Sequence, residues 1–293
     1  MRERSIRFNV DTVFAVVSVL FLVGFLIAVV YPFVYTINLS LSDSNAALRG
    51  GLFLLPRGFD VSSYHTVLGS RFIWSGYANS VFVTVLGTFV QVLFTALMAY
   101  PLSKRRVKGQ RFLNGMVVFS MLFNGGIIPT FLVVRATGLL DTHLALILPI
   151  LISPFNLIIL RSFFSNIPPS LEESATIDGA HDLRIFFTII VPLSKAALAT
   201  ISLWSAVFLW NDFFNALIYL QDRAKFVLPL MLREIIASAN LADLDLQGDD
   251  MLQTTTETIK AATIMVVTLP ILLVYPFIQR YFVKGALIGS VKG

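Results

Sequence analysis

Polar side chains interrupt an apolar run close to residue 210. Asn211, Asp212 and Asn215 lie among aliphatic and aromatic residues. If this run crosses a membrane as a helix, residues 211 and 215 share one face, and such costly polar groups usually face a cavity or a partner. They could then hydrogen-bond the hydroxyl groups of a polar solute. The alternative is that they bridge helices or a partner subunit. Further amides in apolar runs are candidates for the same role: Asn124, Asn156 and Gln91.

Metal and catalytic chemistry have little support in the residue types present. The acidic stretch 243–250 resembles a calcium loop, but its twelfth position is Thr254, where a bidentate Glu is needed. The histidines His65, His143 and His181 are scattered. The chain has no cysteine, which excludes disulfides and thiol chemistry, and no G-x-x-x-x-G-K-[ST] for ATP. We therefore expect no catalytic residue, no metal site and no cofactor in this chain, and a solvated or protein-binding acidic stretch.

The loop 162–195 predicts a helix, a turn and a second helix. Ser170 precedes Glu173 by three residues, which is the S-x-x-E capping box, and it directly follows two prolines. Gly179 stands where a left-handed cap would end the first helix. The second helix is expected over about 181–191, ending at the next proline, and is apolar on one face. An exposed apolar face flanked by charge indicates a docking surface, whereas the loop has too little basic charge for a DNA-binding motif.

The elements that position these residues are membrane spans. The chain is 56% hydrophobic and 13% charged, whereas soluble domains carry about 25% charged residues. About 20 apolar residues cross a bilayer as a helix. Six segments qualify, at about 12–35, 77–100, 112–134, 143–160, 196–220 and 260–280. The first is too long for a signal peptide and is expected to be retained, and Pro149 with Pro154 predicts a kink or interruption in the fourth.

The distribution of basic residues predicts the orientation of these spans. With the N-terminus inside, Lys and Arg concentrate in short cytoplasmic segments: Arg2, Arg4, Arg7, Lys104, Arg105, Arg106, Lys108, Arg111, Arg161, Arg184, Lys195, Arg280, Lys284 and Lys292. This bias accounts for the net charge of +5 without nucleic acid. The expected fold is all-α: one polytopic transmembrane domain over 1–293, with core spans at about 77–280 and both termini cytoplasmic.

The loop 162–195 resembles the EAA loop of binding-protein-dependent ABC importer permeases. That pattern is E-A-A-x-x-x-G, nine variable residues, then I-x-L-P. The matching positions are Glu173, Ser174, Ala175, Gly179, Ile189, Val191 and Pro192, with departures at Ser174 and Val191. Other segments resemble the carbohydrate-uptake branch, and two resemble its subgroup for complex or acidic oligosaccharides: residues 123–130 and 215–220.

The resemblance implies a permease subunit of an ATP-driven oligosaccharide importer that works by alternating access, multi-pass in the bacterial cytoplasmic (inner) membrane. It implies a second homologous permease subunit, an extracytoplasmic solute-binding protein and a dimer of cytoplasmic ATPase subunits, which bind ATP and Mg. It also implies that the EAA loop couples this chain to the ATPase through these residues: Glu172, Glu173, Ser174, Ala175, Asp178, Gly179, Ala180 and Pro192. The residues alone leave two alternatives: an ion-coupled secondary transporter of a small solute, although no inverted repeat is visible, and a membrane-embedded enzyme, for which Asp212 alone is too little.

Overall fold

The computed structural model describes residues 10–51, 53–104, 106–245, 257–270 and 272–273, and these are mostly helical. The helices are α1 Val10–Ser40, α2 Ser44–Leu48, α3 Ser62–Gly69, α4 Arg71–Ser103, α5 Gln110–Leu122, α6 Ile127–Ala136, α7 Leu144–Ile147, α8 Pro154–Ser165, α9 Pro169–Ile177, α10 Asp182–Ile185, α11 Val191–Leu193, α12 Lys195–Asn211, α13 Phe213–Tyr219 and α14 Leu228–Asp245, followed by α15 over 257–270. Short 3-10 turns lie at Leu148–Ile150 and Arg223–Lys225, and a π turn at Phe186–Ile190. Within these ranges the structure has no strand beyond an isolated bridge between Ser42 and Phe59, so the prediction of a helical fold is confirmed there.

The chain divides into two compact units, residues 1–69 with 235–267 and residues 70–234 with 268–293. In the first unit, α1 holds an apolar stretch, Thr12–Ser40, whose most apolar window has a mean hydropathy of 3.1 and no buried residue. A helix so apolar and so exposed suits a bilayer, not water. Beyond it, Phe53 packs with Leu39 and Ala261, and its carbonyl accepts a hydrogen bond from Asn38 Nδ2 at 3.0 Å.

In the second unit, α4 is the central helix and packs along α8 and α12. Small residues on α4 permit this close approach: Ala96 and Ala99 are buried against Leu157 and Ile201. A Cβ on Gly87 would lie 2.8 Å from Leu209 of α12. The position of α4 is therefore fixed by direct packing to the helices on both sides of the 162–195 loop.

The segment 112–134, expected as one span, forms two helices bent by 110°. The break follows Phe123, where Asn124 Oδ1 accepts the N–H of Gly126 at 2.8 Å. Gly126 has φ +88, a conformation that favours glycine. Pro129 lies inside α6 without breaking it, because proline is tolerated in the first turn of a helix.

The fourth expected span is interrupted, as Pro149 and Pro154 predicted. Leu144–Ile150 and Pro154–Ser165 are bent by 52°. Ser153 caps α8, and its Oγ accepts the N–H of Asn156 at 3.4 Å. In the described ranges two helices, α1 and α4, are long and apolar enough to cross a membrane, or up to five if each bent pair forms one span. The acidic stretch beyond residue 245, the end of the sixth expected span and both chain termini lie outside the described residues.

Candidate functional site

The first helix of the 162–195 loop, α9, begins two residues earlier than the capping box predicts. It starts at Pro169 with Pro168 at the N-cap, and no side chain caps it. The prediction that Ser170 caps this helix is therefore wrong. Proline suits the first helical position because its φ is already helical and it has no N–H to leave unpaired. Glu172 lies in the first turn, where the helix dipole favours an acidic residue.

The predicted left-handed turn at Gly179 is confirmed, with φ +80. The N–H of Ala180 donates to the carbonyl of Ala175 at 2.9 Å, and that of Gly179 to Thr176 at 3.0 Å. This is the Schellman pattern, which satisfies the last carbonyls of a helix. No atom lies within 4 Å of the place where a Cβ would stand on Gly179. Glycine is therefore favoured here by the backbone conformation and not by lack of space.

The second helix of the loop is capped by His181, whose Nδ1 accepts the N–H of Arg184 at 3.3 Å. It continues from α10 through the π turn into α11, which contains Pro192 and ends at Leu193. The helix thus ends two residues beyond the expected end at about 191. A bend of 84° then leads into α12. The side chains of Ile185, Phe186 and Ile190 are buried in the core between α4 and α8. The sequence predicted this apolar face as an exposed docking surface. That prediction is wrong for these three residues, which are buried and hold the loop to the core.

Another side of the loop remains exposed. Ile177 is 86% exposed, Leu183 58% and Leu171 43%. Five of the residues assigned by resemblance are exposed as well: Glu173, Ser174, Asp178, Gly179 and Pro192. Ala175 and Ala180 are half-buried against the core. Acidic and apolar groups side by side on a capped, anchored helix pair make a rigid surface that a partner could bind.

Glu172 lies on the opposite side of α9 and is turned towards α4. Its carboxylate pairs with Lys104, and the two side chains are only 13% and 15% exposed. The hydroxyl of Tyr100 lies 3.4 Å from Glu172 Oε2. A second pair, Arg106 with Asp182, is largely exposed. Sequence reasoning missed Lys104 and Tyr100, because no periodicity relates residues that are 68 and 72 positions from Glu172.

Two of the predicted polar residues meet in one cavity. Asn124 and Asn215 line a space of about 320 Å³ with Thr130, Tyr219 and the residues around Pro149. Among the described residues that line it, none is charged. The helical structure is interrupted between α5 and α6 and again between α12 and α13. The cavity lies at these two interruptions, because they turn backbone and amide groups towards a common space.

A second cavity, of about 490 Å³, lies across the break between α7 and α8. Its polar lining includes Gln91, Asn156 and Ser205, and its apolar lining includes Phe155 and Trp204, whose rings are 5.8 Å apart. Gln91 Nε2 donates to the carbonyl of Ile150 at 2.5 Å, while its Oε1 and the Ser205 Oγ have no partner in the described chain. The lining has no charged side chain among the described residues. Sequence reasoning named Gln91 and Asn156 but missed Ser205 and Trp204, whose residue types are common in apolar helices.

The remaining predicted polar residues have local roles. Asp212 ends α12 and caps α13, where its carboxylate accepts hydrogen bonds from Asn215 N at 3.1 Å and Asn215 Nδ2 at 2.7 Å. Asn211 donates to the carbonyl of Val207 at 2.7 Å and lines neither cavity. The prediction that residues 211 and 215 share a helix face is wrong, because the Asp212 cap divides the helix between them.

A charged turn joins the α6–α7 connection to the loop after α13. Asp141 has φ +57, and its carboxylate accepts the N–H groups of Gln221 and Asp222, both at 2.9 Å. Lys225 Nζ lies 2.6 Å from Asp141 Oδ2. Three hydrogen bonds lower the pKa of Asp141 to about 2. In order of size they come from the backbone N–H of Asp222, the side chain of Lys225 and the backbone N–H of Gln221. Over the described ranges, no three His, Asp or Glu side chains are grouped as a metal site.

Comparison with known proteins gives one consistent result. A family model for "Binding-protein-dependent transport system inner membrane component" matches residues 91–287. Protein LplC of Bacillus subtilis is 47% identical over 96% of this chain and 95% of its own length. The Bacillus subtilis polygalacturonan/rhamnogalacturonan transport system permease protein YtcP is 48% identical over 93% of this chain and 96% of its own.

A solved structure agrees with these relatives. A chain of a bacterial ABC transporter involved in the import of the acidic polysaccharide alginate superposes with a TM-score of 0.84 at 35% identity. The match covers 96% of this chain and 99% of that one. This chain therefore belongs to the family of binding-protein-dependent transport system inner membrane components, the membrane permeases of ABC importers.

Proposed function

We propose that this chain is one of two permease subunits of an ATP-driven importer of oligosaccharides, including acidic ones that contain uronate. The observation that carries the proposal is the capped helix pair of the 162–195 loop, with Glu173, Ile177 and Asp178 on its exposed side. We call these exposed residues, with Leu171, Ser174 and Leu183, the coupling surface. An anchored surface of this kind can transmit force from a partner. Its second helix is fixed to the core by Ile185, Phe186 and Ile190, and Ala175 of α9 packs against the same core.

The partners follow from this role. The coupling surface would bind a cytoplasmic ATPase dimer, which binds ATP and Mg, so this chain performs no catalysis. A second, homologous permease subunit would complete the path, since one chain of this size barely encloses one. A solute-binding protein would deliver the sugar from the other side of the membrane. The family description, which names binding-protein-dependent transport, supports this assembly.

The same role requires a defined membrane topology. We propose one transmembrane domain over 1–293 with six spans, both termini cytoplasmic, in the bacterial cytoplasmic membrane. The ion pairs Lys104–Glu172 and Arg106–Asp182 support it. They bring the basic end of α4 to the same side as the 162–195 loop, as the positive-inside bias requires.

The two polar cavities are the proposed sugar path. Asn124, Asn156 and Asn215 contribute uncharged amides to them, and amides suit the hydroxyl groups of a sugar ring. The aromatic faces of Phe155 and Trp204 suit its apolar face. Asp212 would act by orienting Asn215. Because neither lining includes a charged side chain among the described residues, we expect these contacts to recognise ring hydroxyls and not carboxylates.

The substrate class rests on the relatives. The name of YtcP gives polygalacturonan and rhamnogalacturonan, and the solved transporter imports alginate. These are acidic polymers, whereas more distant relatives are named for arabinooligosaccharides and trehalose. We therefore place the substrate of this chain among acidic oligosaccharides.

The experiment measures ATP hydrolysis by the complete transporter, copurified through this chain. We expect hydrolysis to rise when the binding protein and trigalacturonate are added together, and to stay low with either alone. Trehalose should be without effect. Hydrolysis that is equal under all these conditions, or a chain that copurifies with no ATPase, contradicts the proposal.

A further inference from the structure

The end of α4 carries a small polar cluster that touches both helices of the 162–195 loop. Lys104 pairs with Glu172 of α9, and its ammonium lies 5.0 Å from the centre of the Tyr100 ring. The Tyr100 hydroxyl is 3.4 Å from Glu172. The Tyr100 ring also contacts Phe186 of the second helix, and the two ring centres are 5.4 Å apart. Tyr100 thus contacts both helices of the loop, and Lys104 contacts both Tyr100 and Glu172.

This cluster is mostly shielded from water, unlike the neighbouring ion pair. Lys104 and Glu172 are 15% and 13% exposed, whereas Arg106 and Asp182 are 59% and 67% exposed. Exposed pairs contribute little because water screens them. A pair shielded from water is sensitive to the loss of one partner, since the other is left charged and unpaired. Both pairs join the segment at the end of α4 to the 162–195 loop, one through α9 and the other through α10. The exposed pair is therefore a control for the shielded one.

The helix on which the cluster stands also reaches the larger of the two described cavities. Gln91 of α4 lines the larger cavity and donates to Ile150 at the α7–α8 break. It precedes Lys104 by 13 positions in the chain, or about 20 Å along a helix. A displacement of the loop that moved α4 would therefore move the cavity wall directly, without first passing through α12.

We propose that Lys104 and Tyr100 are positioning residues that fasten the loop to α4, so that α4 follows the coupling surface when the ATPase moves it. Glu172 then acts inside this chain and not at the surface of the ATPase. This inference rests on the proposed function. It adds a second route of force transmission, parallel to the covalent link from α11 into α12.

The test uses the complete transporter in proteoliposomes, with its ATPase, second permease and binding protein, and with radiolabelled trigalacturonate. The informative variant is Lys104→Met with Glu172→Gln, which removes the pair without leaving a buried charge. We expect normal assembly, ATP hydrolysis within about twofold of the unaltered protein, and uptake per ATP lowered at least about fivefold, the lower end of typical coupling between sites. Exchanging the charges, as Lys104→Glu with Glu172→Lys, should restore most of this ratio.

The control is Arg106→Gln, which breaks the exposed pair and should leave uptake per ATP unchanged. Uptake per ATP equal to that of the unaltered protein in the neutral double variant overturns the inference. An equal loss in Arg106→Gln also overturns it, since any charge change at this end of α4 would then suffice. Failure of the unaltered transporter to take up any acidic oligosaccharide contradicts the proposed function instead, so the two failures are distinguishable.

Discussion

Replacing Gly179 with valine tests the turn on which the coupling surface depends. Gly179 has φ +80, and a residue with a Cβ pays about 1–2 kcal/mol to adopt a left-handed conformation. Relaxing the turn instead would break the hydrogen bonds from Gly179 and Ala180 to the end of α9, each contributing about 1 kcal/mol. Either route disfavours the native turn by about 1–2 kcal/mol, or about 5–30-fold in population.

The assay is uptake per ATP in proteoliposomes, with insertion and ATPase copurification measured alongside. We expect Gly179→Val to insert normally and to lose most of its coupled uptake. The matched control is Gly179→Asn, because asparagine tolerates the left-handed conformation and no atom stands within 4 Å of the new Cβ. It should keep most of the activity, with Gly179→Ala between the two.

The order of the three variants separates backbone strain from crowding. Crowding would make all three lose activity according to side-chain size, so that asparagine would be as harmful as valine. Normal transport by Gly179→Val would show that the left-handed turn is dispensable for coupling, contrary to the role proposed for Gly179.

Three further outcomes are expected. Ile177→Asp should weaken copurification of the ATPase without altering the thermal stability of the chain, because Ile177 is 86% exposed; unchanged copurification would remove it from the coupling surface. Asn215→Leu should lower uptake and leave basal ATP hydrolysis unchanged, since Asn215 lines a cavity beyond the end of α12 that is opposite to the loop; unchanged uptake would argue against that path. Asp141→Asn should lower the unfolding temperature at pH 7. Because the native pKa of Asp141 is lowered to about 2 from its ordinary 3.8, its stabilisation is present above pH 4 and lost as the pH falls towards 2. The difference from the unaltered protein should shrink over that interval, and a difference independent of pH would contradict this cause.

The sequence predicted the features that local chemistry determines. Gly179 was identified because a capped helix ends at a glycine in the left-handed conformation, and the interruption near Pro149 and Pro154 because proline lacks an N–H. These rules act over a few residues. The all-helical class followed from apolar runs too long for anything but membrane helices.

The sequence did not predict the features that depend on competition or on distant contacts. Asp212 caps a new helix, α13, and does not continue α12, so residues 211 and 215 do not share a helix face. Helix α9 begins at Pro169 with Pro168 at the N-cap, the position that the sequence predicted for Ser170. The pairing of Lys104 with Glu172 joins residues 68 positions apart, and the fold alone decides which of many opposite charges meet. Asn124 and Asn215 were named separately, but only the two breaks in the helices bring them to one cavity.

In the proposed function, this chain moves sugar with energy received from an ATPase. The direct measurement is accumulation of radiolabelled trigalacturonate in proteoliposomes that contain the complete transporter, with ATP on the side of the ATPase subunits and the binding protein on the other. We expect accumulation that requires ATP and survives collapse of the proton gradient. Accumulation that persists without the ATPase and stops when the gradient is collapsed would contradict the proposed function, and would identify an ion-coupled carrier instead.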